Sequence, residues 1–221
     1  MGILRHGLRA ALAAGFLLLL AGLAVAQAVS NTSLNAQLLV AARQADLAAV
    51  QSAFTRGAAP NSRNRLGKTV LMIAAEKGQL AMAQAALAAG TDANLASLER
   101  VTPLMAASYG GHTTLVRALL DAGARTDATD RMDKPAIVYA AGQGQAEVVG
   151  LLLDRGVAVD TAYANGLTAL MWAAGQGALP AVKLLLARGA RADLLDDRKL
   201  TAAQMARQAG HAEVSGLLDG R

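Results

Sequence analysis

The 221-residue chain is 54% hydrophobic but only 3% aromatic. That excludes a disordered polymer and favours closely packed helices over a β-sandwich, whose strands draw on branched and aromatic residues. There is no cysteine, which excludes disulfides, thiolate metal sites and a cysteine nucleophile. The net charge of +5 falls to +3 when Arg5 and Arg9 of the N-terminal segment are set aside, and no lysine-rich stripe is present, so nucleic-acid binding is not expected.

Residues 1–26 read as a secretory signal peptide. Arg5, His6 and Arg9 form a basic head, Ala10 to Leu23 an apolar run, and Ala24-Val25-Ala26 a small-residue cleavage site before Gln27, with Ala28 as the second choice. Leu20-Ala21-Gly22 is followed by Leu23 rather than cysteine, so no lipid anchor is expected, and the lack of an Arg-Arg pair points to the ordinary secretion route. The competing reading is an uncleaved anchor, because the apolar run nearly spans a bilayer. The signal's form and the Ala/Leu/Arg-rich composition lead us to expect a Gram-negative periplasmic protein, without stable membrane insertion after cleavage, and residues 27–33 as a linker.

From residue 34 onward the chain repeats every 33 residues. Gly78, Gly111, Gly144, Gly177 and Gly210 form one column, and Gly57, Gly90, Gly123, Gly156 and Gly189 a second. Phe54, Leu87, Leu120, Leu153 and Leu186 precede the second glycine. Thr69, Thr102, Pro135, Thr168 and Thr201 open each unit, and Asn61, Asn94, Asp127, Asp160 and Asp193 close it. The units are 34–63, 64–96, 97–129, 130–162, 163–195 and 196–221. In the third, Thr102 suits a helix cap and Pro103 its first turn, with Leu104, Ala107 and Ser108 on one face of "PLMAASYG". Gly110-Gly111 ends this helix, and "TTLVRALLDA" forms a second with Leu115, Val116, Leu119 and Leu120 inward, up to Gly123. A polar extended turn then leads to the next unit. Such a pair cannot bury its own apolar face and must stack on its neighbours.

These columns resemble the ankyrin-repeat family, whose unit has this period and a T-P-L-H-x-A signature. The resemblance covers residues 34–221 and implies an all-α solenoid of about six helix-turn-helix units with extended turns. The first unit, with Ala45 in the glycine column, and the last, with Arg207, Gln208, His211 and Glu213 along its helices, are the expected caps. In the fourth unit Pro135 removes the hydroxyl cap, and Asp133 is the expected substitute. The family's histidine after Thr-Pro-Leu is Met72, Met105, Val138, Met171 or Gln204 here, so its hydrogen bond is expected to be missing throughout.

Catalytic groups are not brought together by this pattern. His112 and His211 stand in one column three repeats apart, too far to share a metal or a proton, and each reads as the histidine of a helix-entry Gly-His pair. Asp127, Asp160 and Asp193 fall in a turn column where a side chain bonds its own backbone. The glycines end helices and lack the GK[ST] ending of a phosphate loop. No enzyme activity, cofactor or metal site is expected.

Function is expected on the surface. In the family that the chain resembles, partners bind the turn tips and the exposed side of the first helices. Mapped here, that strip contains Arg65, Leu66, Lys68, Glu76 and Lys77, then Leu98, Glu99, Val101 and Tyr109. It continues through Arg131, Met132, Lys134 and Gln143 to Asn165, Leu167 and Gln176. In this strip the columns stop agreeing, which is where a binding surface can be tuned, although merely tolerant loops would look the same. Tyr109 stands in an exposed, variable column and is a hot-spot candidate. Trp172 shares the column of Ile73, Ala106, Tyr139 and Met205 and reads first as core, second as a partner contact. The mixture of Arg65, Lys68, Arg131 and Lys134 with Leu66, Tyr109 and Met132 suits an acidic protein surface with apolar pockets. The expectation is a monomeric, exported, non-catalytic interaction module. The alternative is an inhibitor or immunity protein that occludes a periplasmic enzyme.

Overall fold

The computed structural model describes residues 33–220. The expected signal peptide, its cleavage site and the linker up to residue 32 lie outside the described residues.

Twelve α-helices and no strand occur among the described residues. They are α1 (33–43), α2 (Leu47–Thr55), α3 (Val70–Glu76), α4 (Leu80–Ala88), α5 (Pro103–Tyr109) and α6 (Thr113–Asp121). The remainder are α7 (Ala136–Gly142), α8 (Ala146–Asp154), α9 (Ala169–Gly175), α10 (Leu179–Ala187), α11 (Ala202–Gln208) and α12 (Ala212–Asp219). The odd-numbered helices stack α3 on α5, α7, α9 and α11. The even-numbered ones form a second layer from α2 to α12, and each unit pairs one helix of each layer. This is the expected all-α solenoid.

The helix starts follow from the threonine column. Thr69, Thr102, Thr168 and Thr201 each accept a hydrogen bond from the amide three residues on, at 3.2–3.3 Å. That satisfies one of the amides a helix start leaves open. The return bond expected to be missing is partly restored. The amides of Thr102 and Thr168 donate to the sulfurs of Met105 and Met171 at 3.4 Å, and that of Thr201 to Gln204 Oε1 at 2.9 Å. A thioether is a weak acceptor, but it lies where the amide needs one. In the fourth unit Asp133 does not cap α7. Pro135 is the cap residue with no side-chain bond, and Asp133 instead takes a left-handed turn position at φ 54°.

One continuous core runs along the stack. Leu115, Val116, Leu119 and Leu120 of α6 are buried as the pattern predicts, and Leu71, Leu104, Ile137 and Leu170 repeat one inward position of the first-helix layer. The two glycine columns end helices with positive φ. At Gly78 (φ 65°) a β-carbon would also strike the His112 ring at 2.5 Å. His112 thus packs on the preceding unit's turn, as His211 does on Gly177, which accounts for both histidines.

The closing turn column follows expectation only in part. Three of its side chains bond the next unit: Asn61 accepts from the Asp92 amide, Asn94 from Arg125 and Asp160 from Arg191, at 2.8–2.9 Å. Asp127 and Asp193 pair with Arg125 and Arg191 and, as expected, also bond their own backbone. At those three positions the column is a stacking device, because a side-chain oxygen three bonds from Cα reaches the amide that the neighbouring unit leaves free.

Candidate functional site

Between the end of one unit and the first helix of the next, the chain makes five equivalent tip turns, at 64–68, 97–101, 130–134, 163–167 and 196–200. In each, the first residue's amide donates to the carbonyl of the last. The fourth position has φ between 54° and 74° in all five, at Gly67, Arg100, Asp133, Gly166 and Lys199. In three tips the first side chain completes the turn: one oxygen of Asn64, Asp130 or Asp196 accepts from the amides two and four residues on, at 2.8–3.0 Å. Asp130 and Asp196 are only 3% exposed. Sequence reasoning passed over this column. Its signal was there, as Asn, Asp or Ser two residues before a variable tip, in the pattern of side chains that mimic backbone turns.

Asp130 does more than shape its tip. Its second oxygen accepts the phenol hydrogen of Tyr139, at 2.5 Å. Burial opposes its charged form, but the Tyr139 hydroxyl, the Lys134 and Met132 amides and the Lys134 charge outweigh that and hold the carboxyl below the usual range. Burial and the adjoining carboxylate push the Tyr139 phenol well above its ordinary value. Tyr139 is therefore a neutral donor fixed against the tip, with its ring edge-on to Tyr109, 6.2 Å between centres and 74° between planes.

These rings wall a trough along the first-helix face. A hollow of about 360 Å³ is lined by Glu76, Val101, Met105, Ala106, Tyr109 and Tyr139. The next, about 210 Å³, shares Tyr109 and Tyr139 and adds Lys134, Gln143 and Trp172 among its walls. A third, about 330 Å³, shares Trp172 and Gln176 and extends past Leu167 and Met171 to Arg198, Met205 and Gln208. The three thus adjoin without a break from the second unit to the last. Lys134 places its ammonium 4.4 Å from the centre of the Trp172 ring.

The expected site residues divide between trough and rim. Tyr109, 54% exposed, Lys134, Gln143 and Leu167 line the trough, with Glu76, Val101 and Gln176. Arg65, Leu66, Leu98, Glu99, Arg131, Met132 and Asn165 stand exposed on the tips, with Leu66 and Met132 each 59% accessible. Lys68, half-buried, pairs with Glu76 at 2.6 Å, and Arg131 with Glu99 at 3.5 Å. Trp172 departs from its first reading: it is only partly buried and forms a wall shared by two hollows. Its column is mixed: Ile73 and Met205 are buried, whereas Ala106 and Tyr139 are partly exposed like Trp172, so the position lies at the edge of the core and a ring there reaches onto the face.

Among the described residues no three His, Asp or Glu side chains lie close enough to hold a metal ion. No helix among them is long and apolar enough to cross a membrane. Comparison with curated proteins gives no match. The family model described as Ankyrin repeats (3 copies) matches residues 38–130 and 137–219, most of the chain. With the 33-residue period, the two helical layers and the five tip turns in register, the chain belongs to the ankyrin-repeat family of protein-interaction modules.

Proposed function

We propose that the protein is an exported, non-catalytic module that captures one protein partner along the trough and the tips beside it. The observation that carries this reading is the unbroken run of three hollows walled by Tyr109, Tyr139 and Trp172. Half-exposed aromatic rings over an apolar floor supply contact area at low cost in side-chain entropy, as interface anchors do. Tip residues from the second to the fifth unit border the same face, so one partner can touch several units together.

Tyr109→Ala combined with Met132→Ala tests the reading. Both side chains are more than half exposed, so the main cost to the fold is the edge-on Tyr109–Tyr139 pair, about 0.5–1.5 kcal/mol. Binding of a partner crosslinked in the periplasmic fraction should weaken by about 2–4 kcal/mol if both are central anchors. A folded variant that still binds the same partner fully would remove this face as the site. Export has its own check: N-terminal sequencing of the protein from that fraction should begin at Gln27, and a chain that kept residues 1–10 would be anchored instead.

A further inference from the structure

The first helices of the three central units contain no charged residue: α5 reads PLMAASY, α7 AIVYAAG and α9 ALMWAAG. Of the three charged residues that line the hollows, Glu76 pairs with Lys68 and Arg198 with Asp196. Lys134 is the exception. It lines the middle hollow, half-buried with its ammonium over Trp172, and no Asp or Glu among the described residues forms an ion pair with it. The acid that begins its own tip, Asp130, has both oxygens committed, one to the Met132 and Lys134 amides and the other to Tyr139.

Resting on the trough as the binding face, we infer that its occupant is an extended, acidic protein segment. One Asp or Glu pairs with Lys134, and an apolar side chain on each side of it fills the flanking hollows. Asp130 is near enough to feel the Lys134 charge but forms no ion pair with it, so a wholly apolar segment would strip the ammonium of water without giving it a direct partner, and a cationic segment is repelled. Between Tyr109 and Trp172 a carboxylate would meet Lys134 with less water than at an open surface, which strengthens the pair. The flanking hollows have apolar walls, Val101 and Met105 on one side, Leu167 and Met205 on the other. Packed helices stand about 8–10 Å apart, and an extended chain advances about 3.3 Å per residue. One helix spacing therefore puts the apolar anchors about two to three residues before and after the acid.

The test is selection of random linear peptides displayed on phage against the full chain, Lys134→Glu and Trp172→Ala, each checked by circular dichroism for an intact fold. The expected winners carry an acid with apolar residues at that spacing, need Trp172, and change the acid to Lys or Arg on Lys134→Glu. A synthetic winner should bind Lys134→Glu about tenfold more weakly or worse. Lys134→Met, which keeps the length of the side chain, should lose the acid preference without reversing it, and serves if Lys134→Glu fails to fold. Winners that need Trp172 but carry no acid, carry a base, or bind Lys134→Glu equally well would overturn the acidic occupant and leave the trough in place. Winners indifferent to Trp172, or no winners, would overturn the trough as a site for an extended segment and this inference with it.

Discussion

Asp130 joins the tip to the trough through one side chain. Its carboxyl is held below the usual range in the folded chain, against about 3.9 when unfolded. The unfolded chain therefore takes up a proton first as the pH falls. The stabilisation is complete above about pH 5 and is lost as the pH drops past the unfolded value and through the folded one. Asp196, equally buried and also depressed, acts in the same direction. Asp130→Asn retains a carbonyl oxygen for the two tip amides, an arrangement Asn64 already provides at its own tip. It loses the charge facing Tyr139, so it should cost about 1–2 kcal/mol at neutral pH. Urea midpoints measured between pH 7 and 2 should then fall less steeply than for the parent, and an equal slope would mean that Asp130 contributes nothing to the acid limb. The fourth tip position gives a second residue-scale contrast. Lys199 sits at φ 63° and should gain stability or stay neutral as Lys199→Gly. Gly67→Ala should lose stability, because its β-carbon would lie 2.9 Å from the Leu98 amide nitrogen, which is itself bonded to the Leu66 carbonyl. Thermal midpoints of the two variants should move apart, and a common shift would refute the account of the turn.

At the scale of the helix, positions and faces were legible because threonine opens four of the first helices, glycine follows nearly every helix, and the leucines keep their columns. α6 is the clearest case: all four residues expected inward are buried. Leu119, fully buried, should cost about 2–5 kcal/mol as Leu119→Ala, against less than about 0.5 kcal/mol for Met132→Ala on a tip. Denaturant midpoints of the two variants separate core from surface, and similar losses would place Met132 in the core. What the columns could not show is that one inward-reading position lies at the edge of the core. Ile73 and Met205 are buried, whereas Ala106, Tyr139 and Trp172 at the same position are partly exposed, and the wall arises where that edge position carries a ring. Nor could a column show its partner across the stack. Asn94 reads as a turn former, but its use is to bond Arg125 and Gly123 of the next unit.

For the whole molecule, stability is held between neighbours. α9 packs on α11 and α10 on α12, while no helix of the last unit makes a substantial contact beyond the fifth. Stability in such a stack approximates a sum of unit and interface contributions, with one outer interface left to the caps. The last unit suits that place, with Arg207, Gln208 and Glu213 exposed and Arg207 paired to Asp219 at 2.5 Å. Deleting residues 196–221 removes this polar cover and opens the faces of α9 and α10 that carry Met171, Leu185 and Leu186. A newly exposed apolar strip of that kind drives self-association. The truncated chain should therefore keep its helical circular dichroism in the remaining units, melt earlier, and form oligomers by light scattering. Loss of helix beyond the deleted share would mean that the units fold only as one block. A truncated chain that stays monomeric with an unchanged melting point would show that 196–221 is not the cap, and that the fifth unit already tolerates water on its outer face.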